Sequence, residues 1–226
     1  MARKSITQDL HGTKWKVHQD LADSPGLRFA QEYFSGYDWS QVEWVTVKVG
    51  AWGGPGTIYD EELGGWTSPV GGRCQQLRST HTRGGLYRLN CRVNTRLRWP
   101  ANKRSRVSPL YRNEDGSWPD VPEGHESGAW LIDPKTGKEW KRLYRLLSLR
   151  DQDEALVWII AHEAFHYLRR TRQIDGKNVE IEADRYAEGV LRAFQVLEEY
   201  PGLRGPASLP KSTEHRRNGT AKTRRM

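Results

Sequence analysis

Residues 155–168 read Ala-Leu-Val-Trp-Ile-Ile-Ala-His-Glu-Ala-Phe-His-Tyr-Leu. Within them His162, Glu163 and His166 form an H-E-x-x-H pattern. Residues four apart on an α-helix share a face, one turn above the other. Two imidazoles at that spacing can hold one ion between them, and neutral imidazole is a natural ligand for Zn2+. Glu163 follows the first histidine and leans over the same site. It is the candidate general base, placed to take a proton from a water that the ion activates.

The surrounding residues favour a buried helix. Asp151 to Glu154 (D-Q-D-E) has the spacing of a capping box just before an apolar run. The run itself, from Leu156 through Trp158, Ile159, Ile160 and Phe165 to Leu168, is apolar nearly all round. Arg169, Arg170 and Arg172 suit the negative end of a helix dipole. Two histidines and a carboxylate inside such a helix need partners, and a metal supplies one.

A third ligand is offered by the next segment. After a loop from Gln173 to Asn178, the sequence V-E-I-E-A-D-R-Y-A-E-G-V-L-R-A-F places Ile181, Tyr186, Ala187, Val190, Leu191 and Phe194 at helical spacing. A helix, a short turn and a second helix make antiparallel neighbours. Glu180 and Asp184 share a face of the second helix, and Glu182 points roughly the other way. Glu180 is read as the third zinc ligand, with Glu182 as the fallback. Asp184 is read as an acceptor for a ligand histidine N–H.

H-E-A-F-H followed by E-I-E-A-D resembles the gluzincin type of zinc metallopeptidase, over roughly residues 150–200. The sequence also resembles the small metallopeptidase domains of phage and mobile-element proteins and, more loosely, the SprT-like proteases associated with DNA. The resemblance implies an α+β, zincin-like fold: a small antiparallel or mixed twisted sheet packed on the active-site helix and a second, antiparallel helix. It implies Zn2+ held by His162, His166 and Glu180, with Glu163 as general base in peptide-bond hydrolysis. In such folds a sheet edge beside the active helix can take up extended substrate, and residues 86–99 and 139–147 are the strands nominated for that role. The oxyanion of the reaction needs a further donor, for which Tyr167, Tyr186, Tyr200 and His125 are candidates.

The rest of the chain frames this core. Residues 1–202 read as one domain, which 226 residues allow. Residues 1–40 are polar, with a short helix expected near Pro25 to Phe34. Residues 41–49 (Q-V-E-W-V-T-V-K-V) carry a strand signature, and Gly50 to Gly72 read as loop. From Leu86 to Trp99, apolar and polar residues alternate strictly, with four arginines on the wet face, R-G-G at 83–85 as turn and Pro100 as stop. Residues 100–127 read as loop, and Trp130 to Ile132, D-P-K-T-G and Lys138 to Leu149 as a hairpin leading into the active helix.

Composition excludes several classes. No signal peptide and no run of 18 apolar residues appears, so the chain reads as soluble, intracellular and cytoplasmic, without a membrane partner. The 2 cysteines, Cys74 and Cys91, form no disulfide framework, and with His81 they match no zinc spacing. Residues 204–226 hold seven Lys/Arg against one Glu, and 203–226 read as a basic, disordered tail. Residues 63–113 carry eleven Lys/Arg and no Asp or Glu. Basic strand surface plus a basic tail is the electrostatic footprint for nucleic acid. The alternative function is therefore a nucleic-acid-binding protein whose His/Glu cluster is a structural or vestigial metal site.

Overall fold

Five short segments build the larger of two main sheets, and the middle three alternate apolar and polar residues. Its strands are β1 (Ser5–Leu10), β2 (Thr13–His18), β3 (Val42–Val49), β6 (Val70–Gln76) and β7 (Tyr87–Val93), in the order β1-β2-β3-β7-β6. The outer pairs are antiparallel, while β3 runs parallel to both β2 and β7. The parallel step from β2 to β3 is made through helix α1 (Pro25–Tyr33), as a parallel connection requires. Ser24 caps that helix, accepting a 3.2 Å bond from the Leu27 N–H, with Pro25 at its first position. The computed structural model describes residues 5–10, 12–50, 59–60, 65–66, 68–77, 86–107 and 109–199. The R-G-G turn, His81, Tyr200 and the basic tail lie outside these residues. A short pair, β4 (Tyr59–Asp60) with β5 (Gly65–Trp66), forms a separate ribbon.

The second sheet holds β8 (Ala101–Arg106), β9 (Leu110–Tyr111), β10 (His125–Ile132) and β11 (Glu139–Leu149). Central β11 pairs antiparallel with β10 on one side and with β8 and β9 on the other. The expected 130–149 hairpin is present, its turn closed by a 2.9 Å bond from the Asp133 N–H to the Lys138 carbonyl. Three expectations are corrected. The 86–99 strand stops at Val93, because Asn94 turns the chain: its carbonyl accepts from Leu97 and its side chain accepts from the Arg96 N–H. Residues 100–127 are not all loop, since β8, β9 and the start of β10 fall there. The Gly50–Gly72 loop ends early, because β6 begins at Val70.

Helix α2 (Gln152–Arg170) lies against the inner face of the five-stranded sheet, and every residue from Glu154 through Leu168 is buried. Full burial of a side chain such as Leu156 or Ile160 contributes roughly 1.5–3 kcal/mol. Asp151 caps α2, accepting from the N–H groups of Asp153 and Glu154 at 2.9 Å each. Glu154 does not reach back to Asp151 as a capping box would. It accepts instead from the Arg150 N–H at 2.6 Å, and also from the Gln195 side chain at 2.7 Å. Gly26 lets the starts of α1 and α2 meet: a Cβ there would stand 2.4 Å from the Asp153 carbonyl oxygen. Helix α3 (Glu180–Glu199) returns antiparallel, its end reaching the start of α2 through Gln195 and Glu154. The connection spans 171–179, longer than the expected loop.

Buried polar pairs hold α3 on the second sheet. Ser105 of β8 donates a 2.7 Å bond to Glu188, which also pairs with Arg145 of β11. The fold is therefore α+β, with two main sheets, one short ribbon and three α-helices among the described residues. Among the described residues no helix is long and apolar enough to cross a membrane.

Candidate metal centre

Helical spacing puts His162 and His166 one turn apart on α2, each only 8 % exposed. Their rings do not point idly into the core. The Nε2 atoms face each other at 3.3 Å. Each also lies 3.5 Å from one carboxylate oxygen of Glu180, the first residue of α3. The three residues offer ligand atoms that all lie within 4.8 Å of one another.

The opposite edges of the rings fix what those Nε2 atoms present. His166 Nδ1 lies 2.8 Å from the side-chain oxygen of Asn178, an acceptor that favours the Nδ1–H tautomer. His162 Nδ1 stands 2.9 Å from Asp184 Oδ1 in a close but bent contact. Asp184 is itself buried and held, its other oxygen accepting from the Arg106 N–H at 2.6 Å. With both Nδ1 atoms given over to oxygens, neutral rings would present two Nε2 lone pairs to each other and to a carboxylate. In that tautomer they cannot hydrogen-bond to one another, and a shared cation, either a proton on His162 or a metal ion, resolves the conflict. Four ligands at ~2.0–2.1 Å in a tetrahedron leave neighbouring ligand atoms roughly 3.3–3.4 Å apart. The 3.3 Å separation is an edge of that size, and the two 3.5 Å separations, to different oxygens of Glu180, are close to it. The three residues could hold such an ion.

Glu163 turns toward the sheet. It is 3 % exposed and rests against Gly72 and beside Ile159. The Cys74 backbone N–H hydrogen-bonds its carboxylate. Arg170, two turns further along α2, donates to the Cys74 carbonyl at 2.9 Å. Behind His162, the Trp158 ring stacks at 5.0 Å and 26°, and the Lys103 ammonium lies 4.6 Å from the centre of that indole.

Electrostatics agree with the geometry. Burial opposes charge on His162, but Asp184, Glu180 and Glu163 outweigh it and push its pKa up to about 9. Burial carries Glu163 up to about 7 against the pull of His162. The hydrogen bond with His162 holds Glu180 down at about 2. Burial lowers His166. The negative field that keeps a proton on His162 is one that favours a divalent cation.

Glu182, the fallback ligand, is directed away and pairs with Arg185 at 3.0 Å. The Tyr167 hydroxyl donates to the Asp38 carbonyl at 2.7 Å, and the Tyr186 hydroxyl meets that of Tyr37 at 3.5 Å, so both are committed to core partners. His125 sits on β10 with its ring nitrogen on the Glu123 carbonyl. Sequence reading missed Asn178, Trp158, Gly72, Lys103 and Arg106, whose positive charge also helps hold Glu180 low. Both nominated substrate strands are internal: β7 lies between β3 and β6, and β11 between β10 and β8. Among the described residues the edges are β1 and β6 in the larger sheet and β10, β8 and β9 in the smaller, and β6 is the one against Glu163. No family model matches the chain, nor does any curated protein or solved structure.

Proposed function

We propose that the chain is a zinc-dependent metallopeptidase of the gluzincin type, zincin-like in fold. One observation carries this reading: two Nε2 atoms and the Glu180 carboxylate converge at 3.3–3.5 Å with a buried glutamate next in sequence to the first histidine. His162, His166 and Glu180 would hold Zn2+, which when bound acidifies a water and polarises a peptide carbonyl. Glu163 takes the proton from the attacking water and delivers it to the leaving amine. Asp184 and Asn178 hold the two imidazoles in the tautomer that leaves Nε2 free. Gly72 and the Cys74 N–H hold the Glu163 carboxylate in place. An extended peptide would lie along β6, which among the described residues is paired only on its β7 side. The Arg106 guanidinium, exposed near Glu180 and without an ion pair among the described residues, is the donor best placed for the oxyanion.

The test is zinc content of the purified protein together with cleavage of a denatured protein mixture, with and without chelator. One zinc per chain and chelator-sensitive cleavage are expected. Absence of zinc binding sinks the reading, and stoichiometric zinc without cleavage favours a structural metal site.

A further inference from the structure

The two faces of the five-stranded sheet differ sharply. The inner face carries Trp15, Val17, Val45, Val47, Leu89 and Cys91, all buried against the helices. The outer face receives the alternate residues, and the strand register sets them in rows. Lys14 lies beside Trp44, which is opposite Arg88. Lys16 is opposite Thr46, Thr46 opposite Asn90, and Asn90 opposite Arg73. Lys48 is opposite Arg92. Six cations thus share one face, drawn from β2, β3, β7 and β6. Lys14, Lys48, Arg73 and Arg88 are exposed, and Lys16 and Arg92 are partly so. Among the described residues two carboxylates lie beside them, Glu43 paired with Arg88 and Asp9 opposite Lys14, and Arg92 is engaged in an interaction of its own.

This is not the basic segment 63–113 that composition singles out. Half of the patch (Lys14, Lys16 and Lys48) lies outside that segment. Inside it, Arg104 is paired with Glu126 and Arg112 with Glu139. Folding therefore redistributes the charge, collecting it on one sheet face. Trp44 holds two of the cations close to the sheet, with Lys16 at 3.4 Å and Lys14 at 5.6 Å from its ring centre.

We propose that this outer face binds a single nucleic-acid strand through its phosphates. Neighbouring rows of cations repeat at about 6.6–6.8 Å along a strand and about 4.8 Å across strands. A flexible polyanion can follow such a grid, whereas a flat sheet meets a rigid duplex only along a narrow line. Between the cations stand Thr46, Asn90 and Gln75, hydrogen-bonding groups rather than the apolar side chains that insert into lipid. The contact is to phosphate and carries no base sequence. The proposal is independent of the metal centre, which lies on the other side of the sheet.

The experiment is fluorescence anisotropy of the full chain with a labelled oligothymidine of about 20 nucleotides, over about 50 to 200 mM salt. About three net phosphate contacts give a slope of log K against log salt of roughly −2. Lys48→Glu with Arg73→Glu should weaken binding at least about tenfold and flatten the slope by at least about 1.4. Lys48→Gln with Arg73→Gln should flatten it by about 1.4, which covers any loss of fold in the reversed pair. Failure of the wild-type chain to bind at low salt overturns the proposal. So does wild-type affinity in both double variants, which would assign binding to the basic tail. Binding of phosphatidylserine vesicles that depends on Lys48 and Arg73, with no binding of oligothymidine, would give the face to a membrane surface instead.

Discussion

Gly72 of β6 touches Glu163 of α2: a Cβ on the glycine would stand 2.4 Å from Glu163 Oε1 and 2.8 Å from its Cγ. The hydrogen at this position is what lets the carboxylate lie flat against the sheet edge. Gly72→Ala should therefore push Glu163 aside while leaving His162, His166 and Glu180 in place. The expected outcome is full zinc binding with peptide hydrolysis reduced by about 100-fold, since a displacement near 1 Å at a reacting group has that effect. A melting experiment should also show about 1–3 kcal/mol of destabilisation from overpacking. Unchanged kcat in this variant would mean that Glu163 acts from some other position, or not at all.

Glu163→Gln keeps the size and removes the base. Zinc stoichiometry should remain one per chain, and kcat should fall about 100- to 10,000-fold. His162→Ala should lose both metal and hydrolysis. Equal loss of zinc in the two variants would show that Glu163 is a ligand rather than a base. Metal analysis beside a peptidase assay reads the difference.

Asp184→Ala removes the oxygen beside His162 Nδ1 and the acceptor for the Arg106 N–H. Zinc affinity should drop about 10–100-fold, the usual effect of losing the group that orients a ligand histidine. Asn178→Ala should weaken zinc through His166 in the same sense. A competition titration against a chelator measures both, and Glu182→Ala serves as the variant expected to leave affinity unchanged.

The two free thiols give a pH prediction away from the ligands. Burial pushes Cys74 up to about 12 and raises Cys91 well above its ordinary value. The folded state thus prefers the neutral thiol, and the stability this confers is complete below the unfolded pKa of about 8.5. It is lost as pH rises from there through the folded value. Native protein at pH 8 should resist alkylation at both cysteines and react once unfolded. Above about pH 9 stability should decline, less steeply in Cys91→Ala. Rapid labelling of the native chain at pH 8 would contradict the buried placement.

How much of this was legible in the sequence varies by element, for physical reasons. α2, α3 and α1 were readable because capping residues and helical spacing are local signals, and His162, His166 and Glu180 fall where that spacing puts them. β3 and the β10–β11 hairpin were readable from β-branched residues and a turn. β8 was not: Ala-Asn-Lys-Arg-Ser-Arg has no apolar alternation, and it becomes a strand through register with β11 and anchors from Asp184 and Glu188. β6 was hidden by two glycines, one of which is present because Glu163 needs the room. The parallel pairing of β3 with β7 joins segments some forty residues apart, and no local pattern encodes it. Asn178 was invisible as a partner for His166, because it sits in the turn before α3 where an asparagine is expected anyway.

Both ends of the ligand set lie within residues 162–180, on two helices joined by one turn. A bound ion would therefore bridge neighbours in sequence, closing a small loop rather than tying distant parts of the chain together. Assembly of the cluster needs only the α2–α3 hairpin, while the sheet edge that cradles Glu163 must wait for β6 to dock from about ninety residues upstream. Metal capture and catalytic competence would then mature at different stages of folding, the first locally and the second only once the whole architecture has closed.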